Sequence, residues 1–360
     1  MKRIVIIRTS SIGDVVLSTV LLDALKVLGL EAKVIWVGRK PSVSLLAAAF
    51  PSIETIDIGK KPKISEIKAK CLSFGKVDLV VDLQSNLRSW LISWLLRKSG
   101  ASSVRARKRG INRLILIFLS RVPRFSRVSK RKKTKPVRQT YLMLETLKLG
   151  LKKIGLTYSP KSMPCPSLPI APTYHGLDPK KKWLAVAPGA AYAPKRAPTE
   201  VFAGILNALY DVLGEVSKDL PGLVFVGGVA DKLAVEGLIN YYEWPSDIKD
   251  FSGKLSLEGT ASLIGEVEGI LTNDSSLGHI AEAVGTPVAV LFGPTSEQFG
   301  FAPWRDFSRS FSVPLSCRPC SKHGRDDCRY GDYRCFRDIP IIKIARYIST
   351  WYIGKEVDEK

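Results

Sequence analysis

The chain has 360 residues, 45% of them hydrophobic, with 55 Lys and Arg against 33 Asp and Glu, a formal charge of +22. At roughly 150 residues per domain this gives two domains with real cores and excludes a disordered basic tail. The charge is uneven: residues 1–170 carry 34 Lys and Arg against 9 acids, residues 171–360 carry 21 against 24, and Arg105 to Arg138 holds fourteen cations without one acid.

In chain order, Ile4 to Ile7 reads as a strand, Val15 to Leu28 as a helix ended by Gly29, and Lys33 to Val37 and Val77 to Leu83 as further buried strands. A stretch with six prolines from Tyr158 to Pro179 then interrupts the pattern and marks a domain boundary. Beyond it, strands are expected at Trp183 to Ala187, Leu223 to Val226, Gly269 to Leu271 and Val288 to Phe292. Helices are expected at Glu200 to Val216, Asp231 to Tyr242, Leu257 to Glu266 and Leu277 to Val284, with a last one from Ile341 to about Trp351 after Pro340. Alternating strands and helices in both halves predict two doubly wound parallel α/β domains facing a central cleft, where ligands of open α/β sheets bind. The boundaries are residues 1–165, a linker at 166–180, a second domain at 181–338, and a C-terminal helical segment at 339–360 that packs back across both domains.

The apolar start is too short for a signal peptide, and runs such as Leu114 to Leu119 fall far below the ~20 residues of a membrane span. A cytoplasmic protein, at most peripheral on a membrane, is expected. The basic field suits a polyanion: nucleic acid, anionic lipid or a phosphorylated glycan. The basic run carries only Phe118 and Phe125 as aromatics and no recognised nucleic-acid motif, so nucleic acid is the distant alternative and is not an expected partner.

Three segments carry chemistry. Asp14 follows the first strand at Thr9 to Gly13; it reads either as a first-turn acid favoured by the helix dipole or as a general base toward a hydroxyl. The absence of GxGxxG argues against a dinucleotide site at that turn. Ala187 to Pro198, with Gly189, Lys195 and Arg196, reads equally as a diphosphate cradle or a surface loop with two solvated cations. Leu271 to Ala283 closes a strand and opens a helix, and brings Asp274, Ser275 and His279 to a helix N-terminus that favours anions.

Ser10-Ser11-Ile12-Gly13-Asp14, Asp82 to Ser89, Pro194-Lys195-Arg196-Ala197-Pro198, Gly253 to Leu257 and Asn273 to His279 together resemble glycosyltransferase family 9, the ADP-heptose:lipopolysaccharide heptosyltransferases and their relatives. The resemblance implies a GT-B fold, two Rossmann-like domains of which the first binds the acceptor and the second the nucleotide sugar. It implies an inverting transfer of a heptose or related sugar from ADP-heptose to the inner core of lipopolysaccharide, with Asp14 as the catalytic base. By the same resemblance Gly189, Lys195, Asp231, Leu255, Asp274, Ser275, Ser276 and His279 bind the donor: Lys195 at the diphosphate, Leu255 near the adenine and Asp231 at the ribose. Ser10, Gly13, Gln84, Arg88, Arg124 and Arg127 are the candidate acceptor residues. No cofactor is required, the ADP-sugar being a co-substrate, and the enzyme would sit on the anionic cytoplasmic face of the inner membrane. Ala190 and Ala191 replace hydroxyl residues of some relatives, Ser276 a common Gly and Ala197 a usual Trp. These departures keep a transferase or epimerase using another nucleotide sugar as the alternative. Cys317, Cys320, Cys328 and Cys335 are spaced C-x2-C-x7-C-x6-C, a candidate structural zinc knuckle without a catalytic role.

Overall fold

The computed structural model describes residues 1–106, 114–118, 138–160, 162–215 and 220–353. The described residues divide into two compact units, residues 1–106 with 138–171 and residues 114–118 with those from 172 onward, so one junction falls after Ala171 inside the proline-rich stretch. The candidate acceptor residues Arg124 and Arg127 and most of the basic run lie outside the described residues.

In the first unit, continuous apolar runs become β1 (Lys2–Ile7), β2 (Ala32–Gly38) and β4 (Leu79–Asp82), with β3 (Glu54–Asp57) and β5 (Ser102–Arg105) at the edges. All pair in parallel in the order β3-β2-β1-β4-β5. Ile4 to Ile7 are fully buried with no polar alternation, which a strand covered on both faces requires. The described helices are α1 (Ile12–Ser18), α2 (Val20–Val27), α3 (Ser42–Ala49), α4 (Ile64–Ser73), α5 (Leu87–Lys98) and α6 (Gln139–Lys153).

The single helix expected at Val15 to Leu28 is two helices meeting at Thr19. Ser18 Oγ and Thr19 Oγ1 each donate to the carbonyl three residues back, Val15 and Val16, at 2.8 Å. Local bonds of that kind compete with the helical ladder.

In the second unit, β6 (Trp183–Ala187), β7 (Gly222–Phe225), β8 (Ile248–Asp250), β9 (Gly269–Asn273), β10 (Val288–Phe292) and β11 (Arg309–Ser312) form a parallel sheet ordered β11-β10-β9-β6-β7-β8. The helices are α7 (Thr199–Gly214), α8 (Lys232–Ile239), α9 (Leu257–Ile264), α10 (Ser276–Val284), α11 (Arg334–Arg337) and α12 (Ile341–Ile353). Helix α12 packs on α7 and contributes Ile344, Ala345 and Ile348 to the core of this unit.

Counted within each unit, both sheets follow the order 3-2-1-4-5, extended by a sixth strand in the second. The order reverses between β1 and β4 in one sheet and between β6 and β9 in the other. At such a switch point the two outgoing loops diverge and leave a crevice at the carboxyl ends of the strands.

Candidate functional site

The loop after β1 and the loop after β4 meet at the first switch point. Gln84 ties them together: its Oε1 accepts from the Thr9 and Ser10 amides at 2.9 and 3.3 Å, and its Nε2 donates to Ser10 Oγ at 3.2 Å. Asp82 supports the turn by accepting from the Gln84 and Ser85 amides, Ser89 Oγ and Arg105 Nε. Arg88 faces another way, its Nη1 donating to the Lys60 carbonyl at 3.1 Å.

Asp14 lies in the first turn of α1, after buried Gly13. Its Oδ2 accepts from the Ser11 amide at 3.2 Å and Ser11 Oγ at 2.9 Å, and pairs with Arg8 Nη2 at 2.8 Å. Arg8 is itself pinned by donating from Nη1 to the Leu83 carbonyl at 2.6 Å. Among the described residues Oδ1 of Asp14 takes no hydrogen bond, so one lone-pair edge of a part-exposed carboxylate stays open. Burial by itself would raise the Asp14 pKa, but the Arg8 charge and then the Ser11 bonds outweigh it and hold the carboxyl below its ordinary value. Asp14 is thus a capping acid held through Oδ2, and the capping role leaves its second carboxylate oxygen uncommitted.

At the second switch point, the loop after β6 meets the loop after β9. Asn273, fully buried at the end of β9, donates from Nδ2 to the Pro188 carbonyl at 2.7 Å and accepts the Ala197 amide at 3.0 Å, so one side chain clamps both ends of the loop. Within that loop Lys195 Nζ meets Asp274 Oδ2 at 2.5 Å, and Thr295 Oγ1 donates to the same oxygen at 2.8 Å. Ser275 is the N-cap of α10 and Ser276 its first residue; Ser275 Oγ bonds Thr272 Oγ1 at 3.1 Å rather than its own helix. The free amides of that first turn remain available to an anion.

Gly189 and Asp231 also meet here. A Cβ on Gly189 would lie 2.2 Å from the Asp231 carboxyl, so any larger residue there would displace the Asp231 side chain. Asp231 accepts the Gly228 amide at 2.9 Å and pairs with Arg196 Nη2 at 3.6 Å. The chain from Asp250 to Ser256, with half-buried Leu255, joins the β7 loop through the Gly253 amide, which donates to the Gly227 carbonyl at 2.9 Å. His279 is placed differently: buried inside α10, its ring lies 6.0 Å from that of Trp304 in a stacked arrangement and 6.1 Å from Phe301.

Comparison with known proteins decides the family. The family description "Glycosyltransferase family 9 (heptosyltransferase)" matches residues 69–330. The chain belongs to glycosyltransferase family 9. A curated relative, lipooligosaccharide heptosyltransferase 2 of Haemophilus influenzae, is 31% identical over 121 residues, 32% of this chain and 32% of its own, so the match spans about a third of either protein. Among solved structures, a glycosyl transferase family 9 protein from Veillonella parvula superposes with a TM-score of 0.71 at 20% identity over 98% of both chains. The E. coli ADP-heptose lipopolysaccharide heptosyltransferase II superposes at 0.69 and 18% identity over 99% of this chain and 100% of that one. The two-sheet architecture is therefore the GT-B fold of family 9.

Several residues that hold the two switch-point loops are absent from the expected set. Arg8, Asn273 and Thr295 hold Asp14, the β6 loop and Asp274 respectively. Asn273 had a signal, an amide closing a continuous apolar strand; the other two touch their partners only through tertiary structure. Glu282 is another: buried on α10, it accepts the Trp304 and Arg305 amides at 2.9 Å and so fixes the ring over His279. Burial pushes its carboxyl up to about 7 against those bonds.

The four cysteines Cys317, Cys320, Cys328 and Cys335 are free thiols lining one cavity of about 270 Å³ together with Pro194 and Pro294. Cys320 Sγ is directed at the Cys317 carbonyl, 3.3 Å away. Among the described residues no group of three or more His, Cys, Asp or Glu is arranged to hold a metal ion, so the expected zinc knuckle has no preformed ligand set. The segment does pack on the β6 loop, with Tyr192 stacked on His323 at 3.9 Å.

Proposed function

We propose that this family 9 protein is an inverting heptosyltransferase of lipopolysaccharide core synthesis, using ADP-heptose as donor and an inner-core sugar as acceptor. The observation that carries the reading is the presence, in a family 9 chain, of an open carboxylate at the switch point of one unit and of a lysine and a helix N-terminus at that of the other. Asp14 Oδ1 takes the proton of an acceptor hydroxyl as its oxygen attacks the anomeric carbon from the face opposite the diphosphate. The C–O bond to the donor phosphate breaks, the configuration inverts and ADP departs. Lys195, with three donors of which Asp274 takes one edge, and the amides opening α10 offset the charge that develops on the diphosphate. Asp231 and Leu255 hold the ribose and adenine in this reading.

The first unit receives the acceptor in this reading, and the cation-rich sequence from Arg105 to Arg138 supplies charge for the phosphate and carboxylate groups of an amphiphile at the cytoplasmic face of the inner membrane. Among the described residues no helix is long and apolar enough to cross a membrane. Mass spectrometry of lipopolysaccharide from cells lacking the protein tests the whole reading. A core shortened from a heptose outward is expected, and an unchanged core overturns it.

A further inference from the structure

Helix α5 has two apolar faces where one suffices. Its inner face, Ser89, Ile92, Ser93 and Leu96, is buried against the sheet. On the opposite side Leu87, Trp90 and Trp94 recur at i, i+3 and i+7, a single stripe along the helix. Leu87 is 87% and Trp90 46% exposed, and the Trp90 and Trp94 rings stack at 6.3 Å. Lys98 Nζ sits 4.0 Å above the Trp94 ring, and neighbouring α4 adds exposed Ile64 and Leu72. A lone exposed leucine needs no explanation; a leucine and a tryptophan pair in one stripe do.

We propose that the outer face of α5, through Leu87, Trp90 and Trp94, is a lipid-docking surface that inserts into the headgroup region of an anionic bilayer. Trp prefers that region because its ring is apolar and its N–H is wet, while Lys and Arg stems beside it reach back to the phosphates. The charge fits: Arg88, Arg97 and Lys98 lie on α5 itself, and the helix carries no Asp or Glu. Two other occupants fit less well. For base stacking the Trp94 ring is poorly presented, because Lys98 caps one face, and no recognised nucleic-acid motif accompanies the helix. A symmetric contact between two copies would place the α5 cations Arg88, Arg97 and Lys98 against those of the second copy.

The helix also starts at a telling place. Leu87 lies three residues after Gln84, which organises the loop before Asp14. A bilayer docked on α5 therefore lies at the acceptor end of its own unit. Docking does not depend on the transferase reading; only its use for a lipid-borne acceptor does.

The test is flotation of the full chain with phosphatidylglycerol/phosphatidylcholine vesicles and with phosphatidylcholine alone, at low salt and at about 0.5 M salt, where exposed charges are largely screened. Expected is binding to the anionic vesicles with a fraction that survives high salt. The triple variant Leu87→Ser, Trp90→Ser, Trp94→Ser should lose the surviving fraction and bind about tenfold more weakly at low salt, with unchanged ADP binding. Should the triple variant misfold, Leu87→Ser alone, at the most exposed position, and quenching of wild-type Trp fluorescence by brominated lipid decide the matter. Variants that float like the wild type at every salt, a wild type whose binding vanishes entirely in high salt, or no quenching each overturn the proposal. So does dimer formation or nucleic-acid binding that the same substitutions abolish while vesicle binding is absent. A wild type that binds no ADP would instead refute the transferase reading and leave this one standing.

Discussion

The two switch points share a topology, and in each an ion pair stands at the loop that follows a strand of the reversal, Arg8–Asp14 in one and Lys195–Asp274 in the other, yet the partner that is pinned differs. In the first unit the cation is the anchor: Arg8 is fixed to the Leu83 carbonyl and holds Asp14 by Oδ2, so Oδ1 is presented. In the second the acid is the anchor: Asp274 is fixed by Thr295 Oγ1 and holds Lys195, so an ammonium is presented. In the proposed mechanism the pinned cation leaves a carboxylate edge for a proton and the pinned acid leaves an ammonium for an anion, so the choice of which partner the backbone grips would set the role of each switch point.

The contrast breaks most visibly through Asp14→Asn. Turnover should fall by about two orders of magnitude or more while calorimetric ADP binding is kept, because only the proton acceptor is lost. Near-normal turnover would remove Asp14 from the chemistry. Lys195→Ala should do the reverse, weakening ADP binding by about tenfold or more through loss of a charge-assisted contact. Equal loss of binding in both variants would erase the distinction between the two sites.

Arg8→Met sharpens the first half. Arg8 holds the Asp14 pKa below its ordinary value, so its removal raises that pKa and moves the acidic limb of the kcat/KM profile to higher pH. A limb that stays in place shows that Arg8 does not tune the base.

A smaller effect belongs to Glu282, whose folded-state pKa of about 7 exceeds the ordinary 4.5. An acid raised on folding favours the native state below its unfolded pKa, and that contribution is lost as pH rises through about 7. The wild type should therefore lose thermal stability between about pH 5 and 8 relative to Glu282→Gln, as read by unfolding scans across that range. Smallest is a rate difference among thiols. A hydrogen bond from Cys320, aided by Arg318 and Arg334, lowers Cys317 to about 6 while burial lifts Cys335 to about 11. Iodoacetamide at neutral pH should label Cys317 first, by peptide mapping.

Much of the fold was legible in the residues. The strands Trp183–Ala187 and Val288–Phe292 have the bounds the sequence implies, because a strand buried on both faces must be apolar throughout. Edge strands β3, β5, β8 and β11 escaped because half-covered strands such as Glu54–Asp57 and Ile248–Asp250 carry charge and only three or four residues. Helices α3 to α6 went unassigned although present, α5 because apolar residues on two faces blur the helical period.

The doubly wound pattern, the charge division and the family motifs holding Asp14, Lys195 and Asp274 are written in local periodicity and residue type. The contacts among distant residues came only with the folded chain. It seats His279 against Trp304, packs Gly189 against the Asp231 side chain, and places Arg8 on Asp14 and Asn273 across the β6 loop. Asn273 and Pro188 lie 85 positions apart in the chain, and no local pattern encodes which distant side chain will grip a loop. Switch-point chemistry is assembled by strand order, which is settled when the sheet closes.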